Sequence, residues 1–171
     1  MTTDDLPRAM FSDTPAMTAE EWAVVEELCR GKRVWEWGSG FSTIALCKIA
    51  ASVVTVEHAA GWALGTIIKC PRAVVIYAPP DLPYAEGGDD GNAAQFRSYS
   101  SAWYPASPID VVILDGRARV ACARTVRRAT FPDARPSLLL HDAERSEYAP
   151  IFDEWREVRR RIGTLAVLEA R

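Results

Sequence analysis

From residue 18 onward, short apolar runs rich in β-branched residues alternate with longer stretches whose apolar positions recur at helical spacing. Thr18 followed by Glu21 is a capping box, and Trp22, Val25, Leu28 and Cys29 then mark one apolar helix face that stops at Gly31. Strands are predicted at 33–37, 53–57, 73–77, 109–115 and 137–141, with helices at 42–50, 61–69 and 120–129 between them. The strand runs are almost continuously apolar, as strands buried on both faces of a parallel sheet require. After residue 141 a short helix at 150–154 precedes two strands, 155–161 and 165–169, joined by a tight turn at Gly163. The pattern predicts a doubly wound α/β domain whose mostly parallel sheet is closed by a C-terminal antiparallel hairpin.

Two stretches lack this rhythm. Residues 1–17 hold Pro7 and Pro15 and read as an arm that folds over the domain at 18–171 or stays loose. The connection 78–108 is far longer than the ~2 to 6 residues usual in α/β folds. It carries Pro79-Pro80, a glycine and aspartate run at 87–91, and the aromatics Tyr84, Phe96, Tyr99, Trp103 and Tyr104. Either it is a lid or substrate loop shaping an acceptor pocket, or its aromatics cover the sheet, with a short helix near 92–99.

Composition narrows the setting. The 171 residues suit one domain, and 49% apolar against 25% charged residues suits a packed core. No apolar run approaches the ~20 residues of a membrane span, and the acidic N-terminus does not read as a secretory signal, so the expectation is a cytoplasmic protein without a membrane partner. Four cysteines without CxxC spacing read as core thiols. A net charge of −3 offers no electrostatic footprint for nucleic acid, which is not expected as a partner.

The chemistry collects where the predicted strands end, the edge at which open α/β sheets bind ligands. Glu36-Trp37-Gly38, Glu57-His58, Asp115-Gly116-Arg117 and His141-Asp142 all stand there, and these include both histidines of the chain. In VWEWGSGFSTIAL a strand runs into Gly38-Ser39-Gly40 and a helix opens near Ser42-Thr43, which lets backbone approach a ligand and offers helix N-terminal N–H groups. A dinucleotide fingerprint needs Gly or Ala where Thr43 stands, and a phosphate-binding Gly-Lys-Ser/Thr is missing. Glu57, 19 residues after Gly38, is placed for a ribose diol.

With these residues in view the chain resembles the class I S-adenosylmethionine-dependent methyltransferases, which share a Rossmann-like fold. Glu36-x-Gly38-x-Gly40 is similar to their first motif, Glu57 to the ribose-binding acid of their second, and Asp115 to the acid that ends their fourth strand. The resemblance implies S-adenosylmethionine (SAM) as cofactor, held by Glu36, Trp37, Gly38, Ser39, Gly40, Ser42, Thr43, Glu57, His58 and Asp115. Ser42 stands where many members have a third glycine, and only Asp81 follows strand three. VVILDGRARVACA and LLLHDAERSEY look like segments of small bacterial methyltransferase-like proteins, distantly similar to glucuronoxylan 4-O-methyltransferases. That likeness implies O-methylation of a small or sugar-like polar acceptor.

Removing a hydroxyl proton needs a base, and Asp115, His141 and Asp142 are the candidates. His141 has a suitable ordinary pKa, yet a strand-end histidine also serves simply to hydrogen-bond a neighbouring loop. Arg117, Arg119, Arg145 and Tyr148 follow the strand ends and form a candidate fork for an anionic group on the acceptor. Asp115 and Asp142 match two of the metal-site positions of catechol-type O-methyltransferases, but the third is Ala143, so a divalent ion is not favoured. A Trp35 and Trp37 pair alternating with Glu36 reads first as core. The helix after Thr18 is either a homodimer surface or a lid support. Two other readings stay open: a SAM- or nucleoside-binding protein without catalysis, and a dinucleotide-binding enzyme.

Overall fold

The structure is a computed structural model that describes residues 15–84, 90–129 and 135–171. The element order is α1 (Ala19–Cys29), β1 (Arg33–Trp37), α2 (Phe41–Ile49), β2 (Ser52–Glu57), α3 (Ala60–Lys69), β3 (Val74–Tyr77), α4 (Arg97–Ser100), β4 (Val111–Leu114), α5 (Arg119–Arg128), β5 (Ser137–Leu140), α6 (Ala149–Glu154), β6 (Trp155–Glu157) and β7 (Ala166–Ala170). Among the described residues seven strands form one sheet in the order β3-β2-β1-β4-β5-β7-β6. The first five pair in parallel, while β7 runs antiparallel between β5 and β6.

Strand periodicity divides the core. Trp35, Trp37, Val112, Leu114, Leu138 and Leu140 face one side of the sheet, where they pack with Phe96, Tyr99, Cys122, Tyr148 and Trp155. Val34, Val111, Ile113 and Leu139 face the other, against Val25 and Cys29 of α1 and Leu46 of α2. Helices thus cover both faces, which is the doubly wound arrangement. The predicted capping box starts α1: Glu21 N–H donates to Thr18 Oγ1 at 3.2 Å and Thr18 N–H to Glu21 Oε2 at 2.8 Å.

One expectation needed correction. The strand predicted over 155–161 ends at Glu157. Beyond it Gly163, at φ +54°, makes the turn that sets Thr164 against Glu21, whose Oε1 accepts from the Thr164 N–H at 2.6 Å and hydroxyl at 2.8 Å. The described part of the 78–108 connection packs several of its aromatics on the sheet. Phe96 and Tyr99 are fully buried, α4 is a single short helix, and Trp103 stacks on Trp37 at 5.7 Å between centroids. Tyr104 remains exposed. Asp81 accepts from the Ser98 N–H at 2.7 Å and hydroxyl at 2.6 Å, a local cap for this segment. Most of the arm, at 1–14, and positions 87–89 of the glycine and aspartate run lie outside the described residues.

Candidate active site

The sheet order reverses between β1 and β4, and a cleft of about 430 Å³ opens at the strand ends there. Its floor is backbone against backbone. Gly38 has φ +99°, and a Cβ on it would lie 2.6 Å from the Gly116 backbone. Side chains are excluded from both positions, so the two strand-end loops meet backbone to backbone. Ser39, Gly40, Ser42, Glu57, His58, Asp115, Arg117, Arg119, Asp142 and Arg145 line the same cleft, as do Ala16, Phe41 and Trp62. Phe41 and Trp62 meet edge to face at 5.4 Å between centroids and form an apolar wall.

Several expected residues turn away from it. Glu36 is fully buried, and its carboxylate accepts from Ser42 Oγ at 2.6 Å and Thr43 Oγ1 at 2.5 Å. Burial pushes its pKa up to about 7 against those two hydrogen bonds, with the negative charge of Asp115 adding to the rise. Glu36 and Thr43 therefore clip the first turn of α2 to β1 and do not reach the cleft. Thr43 Oγ1 also accepts from the Gly40 N–H at 2.9 Å. Trp37 lies on the opposite face, fully buried, with its indole N–H donating to the Tyr99 carbonyl at 2.9 Å. Tyr148 is fully buried and donates to Asp90 Oδ1 at 3.0 Å, which removes it from an acceptor-binding fork.

Glu57 is just 2% exposed, and all four of its lone-pair directions are in use. Ser39 N–H and Oγ donate to Oε2 at 2.7 and 3.1 Å, while the N–H groups of His58 and Ala59 donate to Oε1 at 2.8 and 2.7 Å. This carboxylate ties the glycine loop to the start of α3. His58 Nδ1 lies 2.9 Å from Glu57 Oε1 without hydrogen-bond geometry. Its ring packs edge-on against Tyr84, Phe96 and Tyr99, and separates the cleft from a second one lined by Pro80, Leu82 and Tyr84.

At the ends of β4 and β5 an internal cation organises the acids. Arg119, 5% exposed, donates from Nε to the Gly116 carbonyl at 3.0 Å and from Nη1 to the His141 carbonyl at 2.5 Å and Asp142 Oδ2 at 3.1 Å. Its Nη2 lies 3.5 Å from Asp115 Oδ1, and its Nε 3.8 Å from Asp90 Oδ1. The Arg119 pKa rises: burial opposes the charge, but Asp115 and the other acids outweigh it. Asp90 also caps α5, accepting from the Arg119 N–H at 2.8 Å. Arg119 is thus consumed by protein acceptors rather than offered to a ligand. Arg145 pairs with Glu147 at 2.8 Å, and Arg117 lies over the Tyr84 ring at 5.5 Å.

Asp115, His141 and Asp142 bring ligand-type atoms within 4.8 Å of one another. His141 Nδ1 is 2.9 Å from Asp115 Oδ1, and behind the ring Nε2 is 3.8 Å from Glu21 Oε2. The His141 pKa is raised: burial alone would lower it, but the hydrogen bond to Asp115 and the charges of Asp115, Asp142 and Glu21 prevail. Glu21 is held down to about 2; burial opposes this, and hydrogen bonds from Thr18 and Thr164 overcome it. The sequence marked Glu21 only as a helix cap and gave no hint of Asp90, Phe41 or Trp62, whose places depend on tertiary packing.

Among the described residues no helix is long and apolar enough to cross a membrane. No protein-family model and no curated protein matches the chain. Solved structures do. A methyltransferase-like protein from Silicibacter pomeroyi aligns with TM-score 0.72 at 24% identity, over 92% of this chain and 88% of that one. A TehB-like SAM-dependent methyltransferase from Corynebacterium glutamicum aligns with TM-score 0.54 at 14% identity, over 89% and 87%. A protein of the NADB-Rossmann superfamily from Streptococcus agalactiae aligns with TM-score 0.55 at 17% identity, over 91% and 69%. By strand order, antiparallel closure and these alignments, the chain has the fold of the class I SAM-dependent methyltransferases.

Proposed function

We propose that the protein is a SAM-dependent methyltransferase acting on a hydroxyl of a small polar acceptor. The observation that carries the reading is the cleft at the reversal between β1 and β4, where the glycine loop that Glu57 holds meets the turn at Asp115 and Gly116. Gly40 presents no Cβ there, where one would meet just Trp62 at 3.8 Å, so a nucleoside ligand fits along that loop. Ser39 Oγ makes the longest of the four bonds to Glu57 and belongs to a rotatable hydroxyl, so it is the donor a ribose diol would displace. Phe41 and Trp62 supply the apolar wall beside it. When bound, SAM supplies a methyl group activated by its sulfonium.

The chain's own groups then have distinct tasks. Asp115 lines the cleft and is placed to take the hydroxyl proton. Arg119 fixes Asp115 and Asp142 from beneath. Arg117 and Arg145 stand at the cleft for an acceptor bearing negative charge. We propose that the transfer is metal-free, because the guanidinium of Arg119 and the ring of His141 already engage the oxygens a divalent ion would need.

The test is incubation with methyl-labelled SAM and a panel of small hydroxylated acceptors, half of them carrying a carboxylate or phosphate, with and without a chelator. The reading expects label in an acceptor and equal rates with the chelator present. Chelator inhibition reversed by a divalent ion would overturn the metal-free reading, and failure to bind SAM at all would overturn the assignment.

A further inference from the structure

Behind the cleft, the surroundings of His141 are unaccounted for. His141 faces a carboxylate at each ring nitrogen: Asp115 Oδ1 2.9 Å from Nδ1, and Glu21 Oε2 3.8 Å from Nε2. Asp142 Oδ1 adds a third, 3.6 Å from Nδ1. Glu21 is 2% exposed and comes from α1, far from the strand ends in sequence. Its position is locked from three sides: Thr18 N–H, Thr164 N–H and hydroxyl, and Gly163, where a Cβ would lie 2.5 Å from Oε1. The groups facing the imidazole from every packed element are Glu21 from α1, Asp115 after β4, Asp142 after β5, and Arg119 of α5, which holds the His141 carbonyl.

We propose that Glu21 is a positioning residue of the site: with Asp115 it holds the His141 ring as a cation, so that His141 orients Asp115 and Asp115 alone serves as the base. A neutral ring would set one unprotonated nitrogen lone pair toward an anionic oxygen, at Nε2 or at Nδ1, whereas the doubly protonated ring donates to Asp115 at 2.9 Å and turns its second N–H toward the Glu21 charge at 3.8 Å, beyond hydrogen-bond reach. The raised His141 pKa and the low one of Glu21 agree with this geometry. The proposal rests on the methyltransferase reading for its chemistry. As the acceptor oxygen bonds to the methyl carbon, the carbon–sulfur bond breaks with its electron pair going to sulfur. The hydroxyl proton passes to the Asp115 carboxylate and then to solvent, while His141 keeps both of its protons.

With two histidines in the chain, the test is direct. The imidazole resonances are titrated by NMR on the whole protein without any ligand, with His58→Asn supplying the assignment. The His141 midpoint is expected above the ordinary imidazole range, and Glu21→Gln is expected to bring it down. Thr164→Val weakens Glu21's anchoring but keeps its charge, so it should lower the melting temperature and leave the midpoint in place. In the transfer assay Asp115→Asn should abolish turnover, whereas His141→Gln should lower kcat and leave KM nearly unchanged. A wild-type midpoint at or below the ordinary range, or one that Glu21→Gln does not move, would overturn the proposal. Because the titration uses no cofactor, it can fail while SAM binding succeeds, and the reverse.

Discussion

At the residue scale, the glycine loop shows how a short motif becomes a cleft floor. Gly38 is required twice over, by its positive φ and by the Gly116 backbone at 2.6 Å from any added Cβ. Gly38→Ala should cost about 2 to 4 kcal/mol of stability and abolish cofactor binding, checked by thermal melts with and without ligand. Glu36 makes a separate prediction through pH. Its pKa rises from 4.5 unfolded to about 7 folded, so the folded state binds more protons between those values and stability falls as pH rises across that window. Glu36→Gln should remove this loss and be the more stable protein at about pH 8, as read by denaturant titration at several pH values. The period-two pattern showed that Glu36 and Trp37 point to opposite faces. It did not show that α2 would cover Glu36 with Ser42 and Thr43, so an acid beside a glycine loop read as a ligand contact while acting as a clip.

At the scale of elements, α5 is the brace of the site. Its first residue, Arg119, joins the ends of β4 and β5 to Asp90 of the long connection. Arg119→Met would leave three partly or fully buried carboxylates without their cation, and should destabilise the fold by about 3 to 5 kcal/mol in chemical denaturation. Read as sequence, Arg119 was one of several arginines and looked like part of a ligand fork. Nothing local distinguishes a buried arginine from a solvated one when its partners come from 29 residues upstream and 23 downstream. The parallel strands, by contrast, were legible nearly to the residue, because burial on both faces demands continuous apolar runs. The connection at 78–108 was not, since its aromatics follow no period and take their order from Trp35, Trp37 and His58.

At the scale of the molecule, the alternation of strands and helices was enough to predict a doubly wound sheet. Strand order is another matter: inserting β7 between β5 and β6 is a tertiary choice, made where Thr164 meets Glu21 and the turn at Gly163 brings the chain back. That same contact ties α1 to the strand-end edge, where Glu21 also lies 3.8 Å from His141. The likeness to methyltransferases of low sequence identity, alongside a protein of the NADB-Rossmann superfamily, makes cofactor choice the central question. Calorimetric titration of the whole protein with S-adenosylhomocysteine, with NAD in a parallel cell, answers it. Micromolar binding of S-adenosylhomocysteine is expected, with none of NAD, and with loss of the first in Gly38→Ala. Binding of NAD without S-adenosylhomocysteine, or binding of neither, would contradict the methyltransferase reading.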